Sequence, residues 1–184
     1  MLNDAPRGSL STWTGLRDGD PRQPASLLVA SEHPLLQDPP DRVRLAAWPL
    51  GAEPPAWSPL GFLQLPGPGW GLTDLHAVNA TAGEAGGLLA LFRRFEFPDR
   101  WRARLAVFPL PMATDDREEV RRPVIGWDLL KAGLSADNWE VVTPGPVLAD
   151  GRRSLLLASD DNFNPDQNNH LVQIAPRRRP GCHG

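Results

Sequence analysis

Apolar residues recur along the chain in short bursts, each closed by Gly, Pro, Asp or Asn. Ser26 to Ser31 (SLLVAS) has the continuous apolar pattern of a buried strand. From Arg42 to Leu50 the pattern alternates, with Val43, Leu45 and Ala47 on one face and Arg42, Arg44 and Ala46 on the other. That is the period of a half-buried strand. Leu60 to Leu65 and Thr73 to Val78 follow, then Gly87 to Phe95 and Arg102 to Leu110, joined through Pro98 and Asp99. Pro123 to Trp127, Val141 to Thr143, Ser154 to Ser159 and His170 to Ile174 bring the count to roughly ten short strands. One segment, Asp128 to Gly133, reads as a single helical turn closed by its glycine. Short strands with turn signals about every ten residues predict an all-β sandwich, barrel or propeller.

The 184 residues suffice for one domain with a real core. Residues 1–24 are polar and rich in Pro and Gly, and read as irregular, with one short strand near Leu10 to Leu16. The domain spans 25–176, and 177–184 is a basic, Pro-containing tail expected to be disordered. Pro (21) and Gly (17) are used heavily, which disfavours long helices. The seven Trp are spread along the chain, which fits several packed layers better than one aromatic ligand box.

A net charge of -3, with Lys131 the only lysine, is not the balance of a nucleic-acid binder. No apolar run reaches the length of a membrane span. The first residues lack the basic-then-apolar order of a signal peptide, and the compartment stays open. Cys182 is the single cysteine, so no internal disulfide forms. The four histidines show no zinc-type pairing, and neither a phosphate-cradling glycine loop nor a G-x-S-x-G elbow occurs.

Four places carry chemistry. In the turn from Asp160 to Asp166, Asp160, Asn162, Asn164 and Asp166 alternate, which in an extended segment puts four oxygen-bearing side chains on one side. Calcium takes such oxygens, although Pro165 and Leu171 stand where an EF-hand needs Gly and Glu. The plain alternative is an Asx turn at a strand end. Asp137-Asn138-Trp139-Glu140 precedes an apolar segment, and Glu140 reads either as ligand or general base, or as a solvated turn residue. In Ser31-Glu32-His33, neighbours on a strand point to opposite faces, so no local triad forms; Glu32 alone reads as a carboxylate lining a central cavity. Arg93 and Arg94 lie in an apolar strand, and only one of them points inward, where it needs a carboxylate or an anion.

Taken in order, these segments resemble the phytase-like family ("esterase-like activity of phytase") over about residues 25–175. The matching stretches are Leu27 to Glu32, Leu88 to Phe95, Asp137 to Glu140, and Leu155 to Phe163 followed by Gln167 and Leu171 to Ile174. The resemblance implies a β-propeller-like fold of antiparallel sheets, here partial, with about two to three blades. It implies hydrolysis of phosphate esters or other esters with bound Ca2+. In related propeller phytases, acidic side chains hold calcium ions that bind the substrate phosphate. By carry-over Glu32 and Glu140 are catalytic, Arg93 and Asn138 bind substrate, and Asp160, Asp161 and Asn162 hold the metal, whose bound water attacks the ester.

Two departures point toward a degenerate site: Phe92 replaces a family Glu, and Val141 replaces a Gly. The rival is a non-catalytic propeller-type module that binds a ligand or protein; a third reading is a gene fragment. The expected partners are a small phosphorylated or ester substrate, with no nucleic acid and no membrane. An open partial propeller also implies self-association or a partner chain that supplies missing blades. Members of the family are often exported.

Overall fold

In the computed structural model the described residues are 8–13, 26–49, 57–78, 86–98, 100–110, 117–165 and 167–177. They form twelve strands and no helix: β1 (Gly8–Trp13), β2 (Ser26–Ser31), β3 (Arg42–Pro49), β4 (Ser58–Gln64), β5 (Gly71–Val78), β6 (Gly87–Glu96), β7 (Arg100–Pro109), β8 (Val120–Arg121), β9 (Ile125–Asp128), β10 (Trp139–Val147), β11 (Arg153–Ser159) and β12 (Leu171–Ile174). Three sheets result, in the orders β1-β2-β3-β4-β8, β5-β6-β7-β9 and β10-β11-β12, and none closes on itself. Every pairing is antiparallel except the short β4–β8 contact.

The expected strands are found. The short strand expected near Leu10 to Leu16 occurs at Gly8–Trp13 and pairs with β2, so residues ahead of the predicted domain contribute to its first sheet. Asp166 of the oxygen-rich turn and the predicted tail beyond 177 lie outside the described residues. The helical turn at 128–133 is a Schellman closure. Leu134 N donates to Leu129 O, Gly133 N donates to Leu130 O, and Gly133 has φ +100°. Asp128 Oδ1 accepts from Lys131 N at its start.

The second sheet lies between the other two. Its central strand β6 is apolar on both faces, as a doubly covered strand must be. Leu88, Ala90 and Phe92 face one core with Leu28, Val43, Leu45, Leu63, Leu72 and Leu75 of the first and second sheets. Leu89 and Leu91 face another with Leu129, Trp139, Val142 and Leu157, on the side of the third sheet. Each of these fully buried large side chains contributes about 1.5–3 kcal/mol. The strands that begin the three sheets lie together, with β1 and β10 both packed against β5. Asp74 on β5 fixes part of this contact, since its Oδ2 accepts from Val142 N of β10 at 2.8 Å.

Candidate functional site

At one end of this stack the three sheets meet around one guanidinium. Arg93 lies near the end of β6, opposite Gly71 of β5 and Ala103 of β7. Strand alternation sends its side chain one way and Phe92 the other. Arg93 is largely buried, at 15% side-chain exposure, whereas Arg94 reaches 40%. Only one of the two arginines therefore points inward, as expected.

Three elements supply the partners of Arg93. Nη1 donates to Asn138 Oδ1, ahead of β10. Nη2 lies 3.2 Å from Glu32 Oε1, just after β2, and 3.1 Å from Glu140 Oε1 on β10. The junction so formed joins the first, second and third sheets through charge rather than apolar packing. Glu140 reaches it at an irregularity in the β10–β11 register between Trp139 and Val141. Such bulges re-aim a side chain. Here Trp139 enters the core while Glu140 turns to the guanidinium.

Glu32 is seated by close backbone approach. Its carbonyl accepts from Leu72 N at 2.8 Å. A Cβ on Gly71 would come within 2.7 Å of His33 Cε1 and 3.3 Å of Glu32 Cγ. A side chain at position 71 would have to displace the His33 ring and press on Glu32. His33 Nε2 stands 3.5 Å from Glu32 Oε1, and its side chain is 59% exposed. The Ser31 hydroxyl is buried and makes no hydrogen bond, so no Ser–His relay exists here.

Trp101 of β7, which the sequence did not single out, forms one wall. The Arg93 guanidinium carbon lies 5.2 Å from its ring centroid. With the Gln167 amide oxygen turned toward it, Trp101 Nε1 donates at 2.6 Å, and the Gln167 nitrogen donates to Asp161 O at 2.9 Å. This orientation satisfies both ends of the amide. No sequence period marks Trp101, because its role depends on a diagonal neighbour across the β6–β7 pair.

The turn from Asp160 to Gln167 adjoins the junction through backbone. Asp160 N donates to Asn138 O, and Asn138 Nδ2 donates to Asp160 O. The Asp161 carboxylate turns elsewhere. Asp161 Oδ1 accepts from Phe163 N, an Asx turn, and Oδ2 accepts from Asn169 Nδ2. Asn162 and Phe163 both have left-handed backbone, at φ 50° and 56°, and both are exposed. The structure thus brings Glu32, Arg93, Asn138 and Glu140 into one cluster. The Asp161 side chain bonds outside it, to Phe163 and Asn169, and Asn162 is exposed. Behind the cluster Asp137 is buried; its carboxylate accepts from Asn138 N and lies 3.2 Å from both Ser159 Oγ and His170 Nε2.

One guanidinium between two carboxylates leaves the junction one negative charge in excess. Glu32 is held at 9% side-chain exposure, but Glu140 stands at 33% and faces solvent. Among the described residues no three His, Cys, Asp or Glu side chains converge as a metal cage.

The sequence profile of one family, described as phytase-like with esterase-like activity of phytase, matches residues 15–163. The chain belongs to the phytase-like family. No curated protein and no solved structure matches it. The match reaches all four residues of the junction and the start of the Asp160 turn, and stops short of Gln167 and β12.

Proposed function

We propose that this phytase-like domain is an ester hydrolase acting on phosphate esters at the Glu32–Arg93–Asn138–Glu140 junction. The observation that carries the reading is the sharing of one guanidinium between a buried and an exposed carboxylate. An anionic oxygen of the substrate competes with Glu140 for Arg93. Glu140, displaced from the guanidinium, is then placed to take a proton from water. Glu32 stays and holds the arginine in position. Asn138 offers its amide beside the same site.

A phosphate monoester carries close to two negative charges, so it needs more positive charge than Arg93 alone provides. Calcium held by Asp160, Asp161 and Asn162, which offer hard oxygen donors, would supply charge of that kind. Calcium takes six to eight oxygens, so solvent and substrate would complete the shell. We also infer that the three sheets are consecutive blades of a partial propeller. Their first strands lie side by side, as inner strands of neighbouring blades do. Further blades would then come from a second copy or another chain.

Phe92 bears on the non-catalytic alternative. Its ring is buried in the first core against Phe108, on the opposite face of β6 from Arg93. Its presence therefore leaves the carboxylates of the junction in place, which favours the hydrolase over a degenerate binding module. Turnover of p-nitrophenyl phosphate and p-nitrophenyl acetate, in calcium and in chelator, tests the reading. We expect phosphate ester hydrolysis that drops about a hundredfold or more in Glu140→Gln. No turnover of either ester, or full activity in Glu140→Gln, overturns it and leaves the binding module.

A further inference from the structure

We propose that His33 is the proton-carrying residue of this site, completing its charge and protonating the leaving group. The inference rests on the hydrolase reading above and deepens it. Three observations point to it. His33 Nε2 faces Glu32 Oε1 at 3.5 Å, on the carboxylate that also holds Arg93. The ring lies against β5, where a Cβ at position 71 would come within 2.7 Å of its Cε1. At 59% exposure it remains open to solvent and to a ligand at the junction.

The charged group beside it is Glu32; Arg93 from β6 contacts the same Glu32 oxygen, and Glu140 from β10 contacts the same guanidinium. Gly71, from β5, carries no charge. When His33 is neutral the group has one excess negative charge and repels a phosphate. A proton on His33 brings the group to neutrality and gives Glu32 a second cation. Arg93 is then freer to exchange Glu140 for a substrate oxygen.

The same proton serves the chemistry. Water attacks phosphorus and gives its proton to Glu140 while the bond from phosphorus to the ester oxygen breaks. The leaving oxygen keeps that electron pair and takes the proton from His33 Nε2, which turns from Glu32 to the ester oxygen in this step. Inorganic phosphate and alcohol depart, and solvent returns the proton from Glu140 to His33, so one water is consumed per ester. Imidazole is suited to this because it exchanges protons near neutral pH.

The test is the pH profile of kcat/KM for glycerol 2-phosphate, whose alkoxide leaving group needs a proton, read as released phosphate in calcium, for the unmodified protein, His33→Gln and Gly71→Ala. The unmodified protein should lose activity toward alkaline pH. His33→Gln should lower the rate about a hundredfold and flatten that limb. Gly71→Ala, which pushes the ring aside, should lower kcat and keep the limb. The second measurement is the rise in melting temperature with inorganic phosphate at acid and at alkaline pH. It should be larger at acid pH and lose its pH dependence in His33→Gln. Turnover with an unchanged rate and profile in His33→Gln overturns the role of His33 while the hydrolase reading stands. Absence of both turnover and phosphate stabilisation in the unmodified protein overturns the two together.

Discussion

The Arg93 junction and the Asp160–Gln167 turn are both dense in carboxylates and amides, yet they use them in opposite ways. At the junction two carboxylates and one amide, from segments 106 and 108 residues apart at the widest, meet one buried guanidinium. In the turn the Asp161 carboxylate bonds to groups two and eight residues away. One cluster is assembled by the packing of three sheets, and the other by its own local backbone. Oxygen density along the sequence is highest in the turn. Convergence in space is highest at the junction, where the ends of β2 and β10, from two sheets, bring their side chains to an arginine of a third. The lesson is that adjacency of polar residues reports turn chemistry first, whereas a site needs groups that the fold brings together.

The sharpest way to break this comparison is to remove the centre of each region. Arg93→Met leaves Glu32 buried with an uncompensated charge, which should cost about 3–5 kcal/mol, read from the urea midpoint. Asp161→Ala should cost no more than about 1 kcal/mol, since its bonds are local and solvent-exposed. Equal losses in the two variants would mean that the junction contributes no more to stability than a surface turn.

A smaller effect separates the regions by ligand. Calcium should raise the melting temperature of the unmodified protein, through a stabilisation of about 3 kcal/mol at a hundredfold excess over Kd. Asp160→Asn should weaken that rise, while Arg93→Met should still respond. A melt indifferent to calcium in the unmodified protein removes the metal from the turn.

The smallest effect concerns β5, which carries Asp74 and His76. Burial holds the His76 imidazole below its ordinary value, against the pull of the nearby Asp74 carboxylate. A lowered value means that the unfolded chain takes up the proton first as pH falls. The stability contributed by His76 is thus present above the ordinary imidazole value and is lost as pH drops through its folded value. Burial moves Asp74 the other way, upward, partly offset by the hydrogen bonds from Val142 and Leu75. Its contribution is present in acid and declines as pH rises through that raised value. Between about pH 7.5 and 5.5 the urea midpoint should fall slightly, and less so in His76→Gln. An identical fall in both proteins would place the proton uptake elsewhere.

Much of the fold was legible because local rules act over a few residues. The alternation from Arg42 onward placed Val43 and Leu45 in the core, both at 1% exposure or less. The glycine at 133 closed its turn as its type requires. At the site, Glu32, Arg93, Asn138 and Glu140 were named from segments matched to a family, and the structure places them together. Trp101, His33 and Gly71 carried no such signal. A Trp in a strand looks like core, a His after a Glu looks like surface, and a Gly before a strand looks like a turn. What each does depends on a neighbour far away in sequence.

The sequence by itself determined the strands, their faces and the all-β class, because these follow from the two-residue period of side chains and the chemistry of turns. Tertiary structure alone decided which strands share a sheet, that β6 lies between two cores, and that Glu140 rather than Asp161 meets Arg93. Those outcomes depend on long-range packing and on register. A shift of one residue in β10 would turn Glu140 to the opposite face, and no local pattern in the chain encodes that choice.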